Sequence, residues 1–196
     1  MYNVVIGRCQ VTKVPHIGLE ASIRANMECI FFTPTLEGKD TQEYYQKKIE
    51  PLLSNPLVEL RVGIPYNEIM DTLAGAHCCI STWCDESSGI VALEASERGV
   101  PTVIVNRGGM HASFDLIKYG PIYTVNKSEN RGNKLYDALA EKILEVDTSP
   151  EYRDKLKAAT IDHFNKDAFY DRLIEFIETR LKPNTQEVAL EQFMIM

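Results

Sequence analysis

Between Asp85 and Gly109 the chain reads DESSGIVALEASERGVPTVIVNRGG, and two of its carboxylates, Glu86 and Glu94, lie either side of a Gly-Ile-Val run. Glu86 falls in a loop after the apolar segment HCCIST, which has the character of a strand. Ser87 or Ser88 can cap the helix that follows, because a short hydroxyl side chain accepts a bond from free first-turn N–H groups. Gly89 lets another group approach the backbone closely. Glu94 then sits between one and two turns into the helix, Gly99 ends it as a left-handed cap, and Pro101 opens the next strand, where a missing N–H does little harm. A strand that feeds a helix N-terminus through a loop is where open α/β sheets bind ligands, and the unpaired N–H groups and positive dipole end suit a phosphate. Two spaced glutamates alone would read as a solvated helix face. The flanking glycine and proline pattern favours a ligand site.

The elements that must position these residues alternate. Met1 to Gly7 reads as a buried strand, followed by a polar loop through Arg8 and Lys13 and a helix from Pro15. Strands are expected at Glu28 to Thr33, Leu57 to Val62, His77 to Thr82, Pro101 to Val105 and Ile122 to Val125. Between them the spacing predicts a charged helix over Lys39 to Leu53 and a short one over Tyr66 to Ala76. The last third is helical, over Asn133 to Val146, Glu151 to Phe164 and Ala168 to Leu181. Alternation of this kind argues for a parallel sheet with helices on both faces. The chain of 196 residues suits one well-buried domain, expected over residues 1–182, with 183–196 as a tail. Leu190, Phe193 and Met194 fall at helical spacing in that tail, which suits docking on a partner or on its own domain.

Composition narrows the function. A formal charge of −7 counts against non-specific nucleic-acid or anionic-membrane binding. No apolar run approaches a membrane span, and five cysteines without a C-x-x-C pair argue for reduced thiols. A cytoplasmic setting is the expectation. His77 and His163 read as structural or exposed; His16 and His111 lie near candidate loops, and no two histidines have metal-ligand spacing. Cys84, two residues from Glu86, lacks a positioned base and reads as packing.

The Glu86 to Glu94 segment, with Gly-Ile-Val between the glutamates, Gly99-x-Pro101 and the Gly108-Gly109 pair, resembles the donor-site signature of the retaining glycosyltransferases of group 1, the family that includes sucrose synthase. Gly7-Arg8 followed by Lys13 matches the end of that family's first strand in its C-terminal half. The chain departs from the family at Ser87 and Ser88, where Gly and an aromatic are usual, and at Val14, where glycine often follows the lysine, so a different loop path is expected there.

The resemblance implies a single Rossmann-like, doubly wound parallel sheet equivalent to the C-terminal half of a GT-B glycosyltransferase. It implies transfer of a hexose or pentose from a UDP- or GDP-sugar with retained configuration, without metal or other cofactor. Arg8 and Lys13 would take the diphosphate, together with the backbone N–H groups of Gly89, Ile90 and Val91. Glu94 would hold the ribose and Glu86 the transferred sugar. An arginine offers phosphate a planar fork and a lysine a point charge; alone, either residue would read as a solvated loop charge. The family's acceptor site lies in an N-terminal half, so a partner Rossmann-half protein or a homo-oligomer is expected. Two other readings stand beside this one: a nucleotide-sugar-binding module without catalysis, and glycosylation of modified phage DNA bases with a partner supplying the basic groove.

Overall fold

The computed structural model describes residues 1–82, 89–106, 122–126 and 132–180. Contacts divide the chain into two compact units, Met1–Thr160 and Ile161–Met196. The first unit holds a six-stranded parallel sheet: β1 (Tyr2–Ile6), β2 (Glu28–Thr33), β3 (Val58–Val62), β4 (Cys79–Ser81), β5 (Thr102–Asn106) and β6 (Ile122–Asn126). Their spatial order is β3-β2-β1-β4-β5-β6, a doubly wound order. The described α-helices are α1 (Pro15–Arg24), α2 (Lys39–Tyr44), α3 (Tyr66–Ala74), α4 (Ile90–Glu97), α5 (Asn133–Glu145), α6 (Pro150–Phe164) and α7 (Lys166–Arg180).

Apolar strands in a parallel sheet are buried on both sides, because crossover helices cover each face. Here Val5, Phe31 and Ile80 pack on one face with Leu19 of α1 and Leu139 and Ile143 of α5. Their neighbours Val4, Phe32 and Cys79 point to the other face, against Leu73 of α3 and Ala95 of α4. Each such aliphatic side chain stabilises the fold by about 1.5–3 kcal/mol when fully buried. Arg24 closes the first face from outside: its guanidinium donates to the Asn133 carbonyl at 3.0 Å, pairs with Asp137 and lies 5.0 Å from the centre of the Tyr136 ring. His77 is buried, and its Nε2 meets the Ile143 carbonyl at 2.8 Å, fastening the end of α5 to the approach of β4. That is a structural role.

Three local expectations are corrected. The segment Lys39 to Leu53 is not one helix: α2 stops at Tyr44, a π turn covers Tyr45–Ile49 and a 3-10 turn covers Glu50–Ser54. Pro51 has no N–H to give the carbonyl four residues back, and its ring crowds that carbonyl. The wider π turn also suits burial. Tyr44 and Ile49 are both buried, yet residues five apart lie roughly 140° apart around a regular α-helix. The strand expected over His77 to Thr82 is shorter as a ladder, although the His77 N–H already donates to the Tyr2 carbonyl at 2.7 Å. Helix α4 is capped by Gly89 rather than by a serine: Gly89 holds the N-cap position with φ 66°, where glycine carries no Cβ penalty. Ser87 and Ser88 lie outside the described residues.

The far end of α4 follows the sequence closely. Gly99 adopts φ +71°. The Val100 N–H donates to the Ala95 carbonyl and the Gly99 N–H to the Ser96 carbonyl, each at 2.9 Å, which is a Schellman closure.

In the second unit, Phe169, Leu173, Ile174, Phe176 and Ile177 of α7 are all exposed. His163 packs edge-on against Phe164 at 4.7 Å, and Arg172 donates to the His163 carbonyl at 2.6 Å.

Candidate functional site

The strand order reverses between β1 and β4, and a doubly wound sheet opens its binding crevice outside the carboxyl ends of those strands. Arg8 stands two residues past the end of β1 and is exposed. The loop that carries it is closely held. The Cys9 N–H donates to Thr33 Oγ1 at the end of β2, at 3.2 Å. The N–H groups of Lys13 and Val14 both donate to the Gln10 carbonyl, at 3.0 and 3.1 Å.

Val14, the N-cap of α1, has φ 39° and ψ 46°. A β-branched residue in the left-handed region is strained, by about 1–3 kcal/mol. The position is one where glycine would sit freely. Its side chain is 9% exposed, so packing helps to hold it. A second restraint crosses the switch point. Thr82, just past β4, directs its hydroxyl to the Val14 carbonyl at 3.0 Å, with the Lys13 carbonyl at 3.3 Å. This contact brings the loop of Arg8 and Lys13 to the end of β4, the strand that leads to α4.

Helix α4 contributes the remaining described candidates. The Gly89 carbonyl accepts from the N–H groups of Ala92 and Leu93, at 2.9 and 3.1 Å. The N–H groups of Ile90 and Val91, the first two residues of the helix, have no carbonyl within the helix to pair with, and they sit at its positive dipole end. Glu94, half-buried on the second turn, accepts a hydrogen bond from the Tyr66 hydroxyl at Oε1, 2.8 Å away. That bond, followed by burial and the nearby Glu94 charge, raises the Tyr66 pKa. Arg8, Lys13, Gly89, Ile90, Val91 and Glu94 thus all lie on segments that follow β1 or β4. Glu86, Cys84, Gly108, Gly109, His111 and the 183–196 tail lie outside the described residues.

Sequence reasoning misses Tyr66 and Thr82. A polar residue at a strand end and an aromatic just after the Gly63-Ile64-Pro65 turn were the available signals; neither names its partner.

A second concavity, of about 350 Å³, lies on the β2 side of the β1–α1 loop, lined by Val11, Val14, His16, Tyr44 and Lys48 among others. His16 Nδ1 lies 2.5 Å from the Tyr44 hydroxyl. Burial, and then the Lys48 charge, lower the His16 pKa to about 4.

The described cysteines Cys9, Cys29, Cys78 and Cys79 are free and buried. Burial pushes the Cys9 thiol up to about 11 and those of Cys29 and Cys79 to about 12. They are small apolar side chains in effect, not nucleophiles. Among the described residues, no helix is long and apolar enough to cross a membrane.

No curated protein matches the chain. Solved structures do. AviGT4, a glycosyltransferase involved in avilamycin A biosynthesis, superposes with a TM-score of 0.68 at 18% identity, over 89% of this chain and 49% of that one. The GtfA/B complex gives 0.68 at 14% identity, over 90% of this chain and 35% of that one. Anabaena Alr3699/HepE, in complex with UDP-glucose, gives 0.66 at 17% identity, over 91% of this chain and 48% of that one. This chain therefore spans half or less of the length of the structures it resembles. At these identities the likeness shows the fold. The model of the family described as Glycosyl transferases group 1 matches residues 21–163, and the chain belongs to that family, with the architecture of the C-terminal half of a GT-B glycosyltransferase.

Proposed function

We propose that this chain is the donor-binding half of a glycosyltransferase that moves a sugar from a UDP- or GDP-sugar to an acceptor, with retained configuration and without a metal. The observation that carries the reading is the Thr82 hydroxyl bond to Val14, which brings the Arg8 and Lys13 loop to the strand leading to Gly89 and Glu94. A departing diphosphate needs positive charge fixed in advance. In this reading Arg8 and Lys13 supply it as side chains, and the N–H groups of Gly89, Ile90 and Val91 supply it as a helix start. Glu94 accepts from the two ribose hydroxyls and Glu86 from hydroxyls of the transferred sugar. UDP-glucose in the HepE structure supports trying uridine donors first.

The acceptor wall comes from an N-terminal Rossmann-like half, carried by a partner protein, by another copy or by a longer form of the chain. The exposed apolar side chains of α7 support such an attachment, because a surface of this kind is stable when covered.

The test is calorimetric titration of the full chain with UDP, GDP, UDP-glucose and a GDP-sugar. Glu94→Ala should weaken bare nucleotide and nucleotide sugar alike, since both carry the ribose. Glu86→Ala should weaken only the nucleotide sugar. Equal losses for both ligands in both variants would overturn these roles, and a chain that binds none of the four overturns the donor-half reading. Sugar transfer on adding an N-terminal half separates an enzyme from a binding module.

A further inference from the structure

Tyr66 is the first residue of α3, entered through the Gly63-Ile64-Pro65 turn after β3, and it is 60% exposed. Its hydroxyl nevertheless reaches across to α4 and donates to Glu94 Oε1 at 2.8 Å. An exposed glutamate is ordinarily free to sample several rotamers. This one is half-buried and tied at one oxygen. An ionised carboxylate has two oxygens and about four lone-pair sites, so a single phenol bond leaves capacity for two more hydroxyl donors. The tie spans two helices that follow different strands, β3 and β4, and Pro65 at the N-cap limits the backbone freedom of the turn that presents Tyr66.

We infer that Tyr66 is a positioning residue for a nucleoside ligand: by holding Glu94 Oε1 it orders the carboxylate so that its remaining lone pairs meet the ribose hydroxyls. The inference rests on the donor-half reading, which makes Glu94 the ribose ligand. Pre-ordering a side chain removes part of the entropy lost on binding, so the effect appears in affinity for ligands that use the carboxylate. A ligand lacking one ribose hydroxyl should gain less from the tie.

The experiment titrates the full chain with UDP and with 2′-deoxy-UDP, in the parent, Tyr66→Phe, Glu94→Ala and the double variant. Tyr66→Phe keeps the ring and removes only the hydroxyl, at an exposed position; equal thermal midpoints would show that the fold is intact. UDP affinity should fall about three- to tenfold in Tyr66→Phe, the size of one net hydrogen bond. The deoxy ligand should lose less, and Tyr66→Phe should add no further loss in the Glu94→Ala background, where the hydroxyl has no side-chain oxygen to hold. If the parent binds UDP and Glu94→Ala weakens it, but Tyr66→Phe leaves the UDP to deoxy-UDP ratio unchanged or costs as much in the Glu94→Ala background, the positioning role is overturned while the donor-half reading survives. A parent that binds neither ligand overturns both for uridine donors, and the GDP and 2′-deoxy-GDP pair then repeats the test.

Discussion

The Thr82 hydroxyl lies 3.0 Å from the Val14 carbonyl and joins the end of β4 to the N-cap of α1. The two strands behind these residues, β1 and β4, are neighbours in the sheet, but their crossovers leave in opposite directions. One hydroxyl therefore adds a restraint across the switch point to a loop that the Cys9 N–H already ties to Thr33. That loop holds a left-handed valine, so the restraint also offsets backbone strain. Thr82→Val keeps the shape and removes the donor. It is expected to destabilise the chain by about 1 kcal/mol, the net worth of a hydrogen bond, and slightly more if the Val14 carbonyl finds no other donor. Urea midpoints measure the stability change. A midpoint equal to the parent's would show that the loop is held without the bond.

Arg8 is exposed beside this restrained loop, so its removal should affect binding rather than folding. Arg8→Ala is expected to weaken UDP by about 1.5–3 kcal/mol, the range for a hydrogen bond to a charged group, with an unchanged urea midpoint. Arg8→Lys should recover only part of the loss, because an ammonium cannot present the planar fork. Full affinity in the alanine variant would remove Arg8 from the site.

Much of this architecture is legible in the sequence because the relevant forces are local. Apolar runs mark β1, β2 and β4, which are covered on both faces, and Gly99 followed by Pro101 marks a helix end and a strand start. The parallel sheet follows from the alternation; its strand order does not, because alternating strands and helices build more than one doubly wound order. What escapes is what depends on partners distant in sequence. Tyr66 and Glu94 are 28 residues apart, and no periodicity links them. The π turn at Tyr45–Ile49 combines a proline six residues after Tyr45 with two core positions that a regular helix would turn away from each other. Val14 is opaque for another reason: residue type argues against a left-handed φ, and only the packing and hydrogen bonds of the folded loop impose it. The proposed diphosphate and sugar roles rest on a resemblance in motif spacing, which places residues along the chain but says nothing of the restraint between Thr82 and Val14.

Gly99 gives a test of the fold that leaves the site alone. A Cβ built there would lie 2.6 Å from the carbonyl oxygen of Arg153, and the backbone is in the left-handed region. Arg153 is held in turn, its guanidinium donating to the Ala76 carbonyl at 2.6 Å. Alanine must therefore bear the left-handed penalty and push against a backbone that is tied down. Gly99→Ala is expected to cost about 3 kcal/mol of stability. A loss below about 1 kcal/mol in chemical denaturation would mean that α6 moves away from α4 with little resistance.

His16 predicts a pH dependence whose sign is fixed by its surroundings. Burial, and then the Lys48 charge, disfavour the imidazolium, and Asp40, Glu43 and Lys47 line the same cavity. When Nδ1 is unprotonated, the Tyr44 hydroxyl can donate to it across 2.5 Å; protonation makes Nδ1 a donor and breaks that arrangement. The pKa is about 4 in the folded chain against an ordinary 6.5. Above pH 6.5 the ring is neutral in both folded and unfolded chains and contributes no pH dependence. Between 6.5 and 4 the unfolded chain takes up a proton that the folded chain refuses, so stability falls as the pH falls. Below about 4 the folded chain protonates as well and the loss levels off. Solvent reaches part of the ring, so the full shift is discounted, and a loss of about 1–2 kcal/mol is expected across the window. His16→Gln cannot titrate there, and carboxylates elsewhere cancel in the comparison with the parent. Urea unfolding at about pH 7.5, 5.5 and 4.5 should therefore show the parent losing about 1–2 kcal/mol relative to His16→Gln as the pH drops. A difference that stays constant over those three points would mean that His16 titrates alike in the folded and unfolded chains.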